Sequence, residues 1–228
     1  MKRRLFGHLT CVLALIPACG SAASLTSYVF LTDTGPSGVD PDVFTTVFEP
    51  GAAITSANLT DNGQPLPSWS VKNWTTSSDS SDALESDSYV WFRITPDPGT
   101  TMTLTGITID VRPHGSGPDR FAVSVVDVAT GFGSRLGGDL LHSDQSTIAD
   151  GFKTWETLSA SSDLFEDLTG TFEIRIYGYD AKQADSEVLF DNVHLVGEAT
   201  QVPEASIALL LAPSAILLAW RRRFRPAP

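Results

Sequence analysis

Between Ser24 and Thr200, apolar and polar residues alternate with a period of two, and Gly, Pro, Asp and Asn interrupt the pattern every few residues. Consecutive side chains of an extended backbone point to opposite faces, so this pattern describes half-buried strands joined by turns. No stretch spaces its apolar residues as an amphipathic helix would. The alternation predicts strands near Tyr28–Thr32, Val43–Phe48, Ile54–Leu59, Tyr89–Thr95, Thr103–Arg112, Phe121–Val128, Trp155–Ser159, Thr171–Tyr179 and Val188–Val196. So many short strands in a region the size of one domain imply an all-β fold, a β-sandwich of the jelly-roll kind. Asp33–Pro41, Ser68–Ser88, Arg112–Asp119 and Gly131–Gly151 are then long loops, and the Ser-Asp tract at Ser77–Asp82 is a solvated one.

The two ends are of different character. Lys2-Arg3-Arg4, an apolar run from Leu5 to Ala18 and Gly20-Ser21-Ala22-Ala23 have the charge, length and small-residue exit of a secretory signal peptide over residues 1–23. A lipoprotein signal acylated at Cys19 is the alternative. Both cysteines, Cys11 and Cys19, fall inside that segment, which leaves the exported domain, residues 24–200, without thiol or disulfide chemistry.

Residues 201–228 combine Val202-Pro203-Glu204-Ala205, an uncharged stretch from Ala205 to Trp220, and Arg221, Arg222, Arg223 and Arg225. As a helix the stretch rises about 24 Å against a hydrocarbon core of about 30 Å, so it forms one short transmembrane helix. The arginines hold its end on the cytoplasmic side, which puts the domain outside. This order of parts resembles the PEP-CTERM sorting signal of exported proteins of Gram-negative bacteria, with Ala205 where the family's motif has a second proline. The resemblance implies recognition of Val202–Ala205 by an exosortase, use of the secretion machinery, transient residence in the inner membrane, and a final place at the cell surface or outside. An ordinary anchor helix is the alternative.

The domain carries 26 carboxylates against 8 bases, a net charge of −18. That balance excludes nucleic acid and an anionic membrane surface as partners and leaves neutral glycans and divalent cations. Tyr89–Pro96, Leu104–Ile109, Thr171–Tyr179 and Leu189–Leu195 resemble a recurrent exported domain similar to carbohydrate-binding jelly rolls, which implies association with extracellular polysaccharide. The alternation itself puts Tyr89, Trp91 and Arg93 on one face of their strand, and Glu173, Arg175, Tyr177 and Tyr179 on one face of theirs. Aromatic rings flanked by charged side chains suit sugar recognition, and Trp69 and Trp74 extend or cover such a platform. The plainer alternative packs these aromatics under loops.

In the closing strand, Leu189, Asp191, Val193 and Leu195 share a face by simple alternation. A carboxylate at the edge of a core needs donors or a cation. The resemblance implies a structural calcium here, held by Asp191 with Asp33 and further loop oxygens from Asp40, Asp42 or Asp185; backbone N–H donors are the alternative. The acidic run Asp79, Asp82, Glu85 and Asp87 reads as a bare loop.

Catalytic signatures are missing: His114, His142 and His194 have no partner at metal-ligand spacing, and there is no nucleophile elbow. Glu85-Ser-Asp87 begins like a laminarinase motif, but Val90 stands where its second Glu belongs. A non-catalytic protein is therefore expected. The alternatives are a hydrolase whose carboxylates meet only in the fold, recognisable by two carboxyl groups about 5–10 Å apart in an aromatic-lined cleft, and a purely structural surface protein.

Overall fold

The computed structural model describes residues 23–30, 33–54, 57–60 and 68–202. Residues 1–22 of the segment expected to be a signal peptide, the residues Pro203, Glu204 and Ala205, the stretch to Trp220 expected to be a transmembrane helix, and Arg221, Arg222, Arg223 and Arg225 lie outside them. Among the described residues no helix is long and apolar enough to cross a membrane.

Two antiparallel sheets face each other across one core. The first runs β12 (Glu156–Leu168), β8 (Thr100–Pro113), β14 (Val188–Gln201), β1 (Ala23–Tyr28), β2 (Gly38–Val39), with β6 (Ser68–Val71) also on β14 and β5 (Ala57–Thr60) on β6. The second runs β10 (Gly133–Arg135), β9 (Arg120–Asp127), β13 (Phe172–Tyr179), β7 (Tyr89–Pro96), β3 (Val43–Thr45), with β11 (Leu140–Leu141) on β9 and β4 (Glu49–Pro50) on β7. The all-β sandwich expected from the alternation is therefore present.

The core takes one residue in two from each strand: Val90, Phe92 and Ile94 of β7 and Ile174 and Ile176 of β13 meet Ile107, Ile109 and Val111 of β8. An aromatic cluster fills one part. Phe48 packs edge-on against Tyr28, Phe30 and Trp69, with ring centroids 5.2, 5.5 and 5.2 Å away. Trp69 and Trp74 are 2 % and 1 % exposed, and Trp74 Nε1 donates to Val71 O at 3.1 Å. Neither tryptophan belongs to a surface platform: the segment read as a loop from Ser68 begins as β6, which turns Trp69 inward.

Strict alternation breaks twice in β14, and the first break corrects the sequence reading. Asn192 has φ +45° and the register against β8 shifts between Asp191 and His194. A bulge of this kind inserts one residue and reverses the faces beyond it. Val188 and Phe190 before it and Val193 and Leu195 after it all face the core, so Asp191 lies on the opposite, outer face rather than sharing the face of Val193 and Leu195. The second shift falls between Val196 and Gly197, where the backbones approach so closely that a Cβ on Gly197 would lie 2.0 Å from Thr103 O.

The expected solvated tract at Ser77–Asp82 holds a short helix, α1 (Ser80–Glu85). Asp79 is its N-cap and accepts from Ser81 N at 2.8 Å, the local bond that lets a serine-rich tract start a helix. The helix is six residues long and only Ala83 of it is buried, so no hydrophobic periodicity announces it.

Candidate functional site

The side chains that alternation assigns to a ligand face all lie on the outer face of the second sheet, and the register arranges them in rows. Tyr177 of β13 stands between Tyr89 of β7 and Ala122 of β9. Arg175 stands between Trp91 and Ser124, and Arg135 of β10 continues that row beyond Ser124. Glu173 stands between Arg93 and Val126.

The Tyr177 row is covered. Helix α1 lies across it, with Ala83 packed among Ala122, Tyr177 and Tyr179, and Leu84 and Tyr89 closing the edge. Tyr177 and Tyr179 are 2 % and 0 % exposed, so neither ring offers a face to a ligand. They point outward as alternation requires, but period-two reasoning carries no information about what lies on top of a face. Burial pushes the Tyr179 phenol up to about 12, with Asp139 reinforcing the shift. Tyr89 remains half-buried with its ring 5.1 Å from that of Tyr177.

The other two rows are open. Trp91, Arg93 and Arg175 are partly exposed, whereas Glu173 is buried beneath them. Arg175 Nε donates to Glu173 Oε1 at 2.6 Å, and Arg93 Nε and Nη2 donate to Oε2 at 3.3 and 3.2 Å. The Arg93 guanidinium lies 4.9 Å from the centre of the Trp91 ring, and that of Arg175 lies 4.6 Å from the centre of the Tyr89 ring. Burial works against the charge of Arg175, but hydrogen bonds with Tyr177 and Glu173 outweigh it and raise its pKa above the usual arginine value.

Beside these rows a groove of about 210 Å³ runs between α1 and the β9–β10 hairpin, lined by Leu84, Ser124, Val126, Gly131, Gly133, Ser134, Arg135, Arg175 and Tyr177. Two atoms of its lining residues, Ser124 Oγ and Arg135 Nε, are buried without a hydrogen-bond partner. The rest of Arg135 is engaged: Nη1 donates to Ser80 Oγ at 3.2 Å and Nη2 to Asp139. Four further buried atoms, Ser68 Oγ, Arg112 Nη1, His142 Nδ1 and Tyr179 Oη, share that state outside the groove, so its polar character rests on the two serines and two guanidiniums of its lining.

Between the lining glycines Gly131 and Gly133 stands Phe132, 83 % exposed. The turn that carries it is tied down: Asp127 accepts from Ala129 N at 2.8 Å and Thr130 Oγ1 at 3.0 Å, and Phe132 N donates to Thr130 Oγ1 at 3.3 Å. Gly131, at φ +72°, takes the left-handed position that other residues adopt only at a cost. Sequence reasoning missed Ser124, Phe132 and Arg135. The available signal was a bulky apolar residue between two glycines in Gly131-Phe132-Gly133, a place where no core contact explains it.

A larger cavity of about 650 Å³ lies at the end of the sandwich, lined largely by apolar groups that include Phe44, Pro96, Pro98 and Val202. Among the described residues Asp97 is the one acidic side chain in that lining. Val202, the first residue of the expected sorting motif, is half exposed there, and its N–H donates to Gly99 O at 2.7 Å.

The acids expected at a calcium site are otherwise engaged. Asp191 is 8 % exposed and accepts from Asn192 N at 2.8 Å and from the Phe30 backbone. Asn192 Nδ2 lies between two carboxylates, 2.8 Å from Asp110 and 3.5 Å from Asp191, in the position where a cation would sit. Desolvation, with repulsion from Asp110, raises the pKa of Asp191. Asp33 accepts from Gly35 N at 2.9 Å within its own turn. Among the described residues no three His, Cys, Asp or Glu side chains group closely enough to hold a metal ion.

No protein-family model matches this chain, and neither does any curated protein. Among solved structures it is similar to CBM27-1 of Caldicellulosiruptor saccharolyticus, crystallised with mannohexaose, at 10 % identity and a TM-score of 0.39 over 65 % of this chain and 88 % of that one. It is also similar to the CBM22-1–GH10 modules of a Clostridium thermocellum xylanase with xylohexaose, at 14 % identity and 0.42 over 80 % of this chain and 30 % of that one. A third is the K2 cleaved adhesin domain of Lys-gingipain, at 12 % identity and 0.39 over 76 % and 99 %. Likenesses this distant carry no argument about ligand or mechanism, which rest on the residues of the groove.

Proposed function

We propose that this chain is an exported, non-catalytic protein that binds extracellular polysaccharide through the outer groove of its second sheet. The observation that carries the reading is a groove whose lining combines Ser124, Ser134 and the guanidiniums of Arg135 and Arg175, with the partly exposed Trp91 paired to Arg175 and the exposed Phe132 between its glycines Gly131 and Gly133. Sugars present hydroxyls to polar groups and flat C–H faces to aromatic rings, and this surface offers both. Among the described residues no Asp or Glu lines the groove, so the paired carboxylates of a glycosidase have no counterpart among them there.

The second half of the reading is processing by an exosortase at Val202-Pro203-Glu204-Ala205, followed by display at the surface or release. What supports it is the order of parts in residues 201–228 and the way β14 carries the fold to Gln201, directly before the motif.

The core residues among those described lie between Leu25 and Leu195, so a fragment of residues 24–202 carries all of them. Calorimetry and thermal melting of that fragment with soluble polysaccharides test the reading. A bound glycan raises the midpoint by mass action, and Trp91→Ala and Phe132→Ala are expected to weaken binding at least tenfold without moving the unliganded midpoint by more than a few degrees. If no glycan binds, or if binding survives both substitutions, the groove is not a glycan site.

A further inference from the structure

We propose that the apolar end of the sandwich around Val202 is a membrane-docking surface, which sits on the lipid headgroup layer while the chain is anchored. The inference rests on the reading of Ala205–Trp220 as a transmembrane helix and holds whether or not a protease later cuts the motif.

Three observations lead to it. The first is reach. Val202 still belongs to the fold: Gln201 pairs with Thr100 between β14 and β8, and Val202 N–H donates to Gly99 O at 2.7 Å. Ala205, where the uncharged stretch begins, is three residues further on, and three extended residues cover at most about 11 Å. The polar layer on each side of the hydrocarbon core is about 5–8 Å deep. A chain that enters the core at Ala205 therefore holds Val202 near the headgroups, together with the end of the sandwich that Val202 lines.

The second observation is what that end presents. The cavity of about 650 Å³ lies there. Phe44, opposite Thr95 on the outermost strand β3, is 63 % exposed, Val202 is half exposed, and Pro98 stands in the exposed turn between β7 and β8. Phe44 takes no part in the core. Apolar side chains gathered on an exposed surface mark a place that meets another apolar phase.

The third is charge. Among the described residues no Lys or Arg lines this cavity, and Asp97 does. The contact is therefore apolar and gains nothing from anionic lipid, so zwitterionic headgroups are the surface it fits.

The exported chain, residues 24–228, has no cysteine, so single fluorescent labels can be placed on it. They go at Thr169→Cys beside the cavity, at Ala184→Cys in the loop before β14, and at Ala212→Cys in the expected span; Thr169 and Ala184 are both exposed. The first two sites are at opposite ends of the domain, separated by the fourteen residues of β14, about 45 Å of strand. Each labelled chain is reconstituted in phosphatidylcholine vesicles and quenched by nitroxide lipid or by aqueous iodide. Expected are lipid quenching at Ala212→Cys and, at Thr169→Cys, lipid quenching roughly twofold or more above that at Ala184→Cys. The Thr169→Cys signal should fall when Phe44→Ser is added, and should not rise when half of the lipid is phosphatidylglycerol. Quenching at Ala212→Cys with no excess at Thr169→Cys overturns the docking inference and leaves the span standing. An excess that Phe44→Ser leaves unchanged shows that the tether alone holds the domain near the bilayer, and also overturns docking. So does a rise with phosphatidylglycerol, which marks an electrostatic contact, or a Thr169→Cys label shielded from lipid and iodide alike, which marks cover by the chain's own tail or a second copy. No lipid quenching at Ala212→Cys overturns both readings.

Discussion

Replacing Glu173 by Gln should destabilise the domain more than its position on an outer face suggests. The carboxylate is 6 % exposed and bonded by Arg175 Nε at 2.6 Å and by Arg93 at 3.3 and 3.2 Å. Gln keeps the volume but has one acceptor oxygen, and its NH₂ must point at one of two groups that only donate. The Arg93 side chain is 42 % exposed and can turn to water, so its share is worth about 0–1 kcal/mol. The Arg175 side chain is 27 % exposed, and a charge-assisted bond in that setting contributes about 1.5–3 kcal/mol. The sum, about 1.5–4 kcal/mol, corresponds to a fall of about 3–16 °C in midpoint for a domain of this size. Differential scanning calorimetry of Glu173→Gln, Arg175→Ala and the double variant measures it. The double variant should lie within about 0.5 kcal/mol of the worse single one, since both remove the same interaction. A midpoint within about 1 °C of the unmodified protein, or additive losses, would refute the view that Glu173 anchors Arg175.

Three further outcomes are expected. Asn192→Ala should cost about 1–3 kcal/mol in urea unfolding, because it forces a Cβ-bearing residue to hold φ +45° without the side-chain bond to Asp110, whereas Asn192→Gly should lose less. Stability should depend on acid through two groups of opposite sign. The Ser146 and Thr154 hydroxyls, with Ser146 N–H, hold Asp144 down to about 2, so its contribution is full above the ordinary carboxylate range and lost as pH falls toward 2. Asp191, raised by burial and by Asp110, favours the fold most when protonated and loses that contribution as pH rises through its elevated pKa; the stability difference between Asp191→Asn and the unmodified protein should therefore shrink as pH falls. Replacing Pro203 and Glu204 by Ala in the full chain should leave unprocessed, membrane-held protein on a fractionation blot; normal release would count against exosortase handling.

Sequence alone determined the fold class and the broad layout, because burying one face of a strand writes a period of two into the chain. Val90, Phe92 and Ile94 and their partners Phe172, Ile174 and Ile176 were legible as inward and their neighbours as outward. The charge balance and both terminal segments are likewise properties of composition and order. Alternation counts residues, however, and a bulge changes the count: Asn192 turned Asp191 to the other face, and nothing local distinguishes that residue from its neighbours. Only tertiary structure decided which outward residues meet solvent. Helix α1, too short to leave a periodic trace, covers Tyr177 and Tyr179 and leaves Trp91 and Arg175 open. The groove followed from the same step, since Ser124, Arg135 and Phe132 come together through the pairing of β9 with β10 and β13, and the partnerless state of a buried atom exists only once every other chain segment is in place.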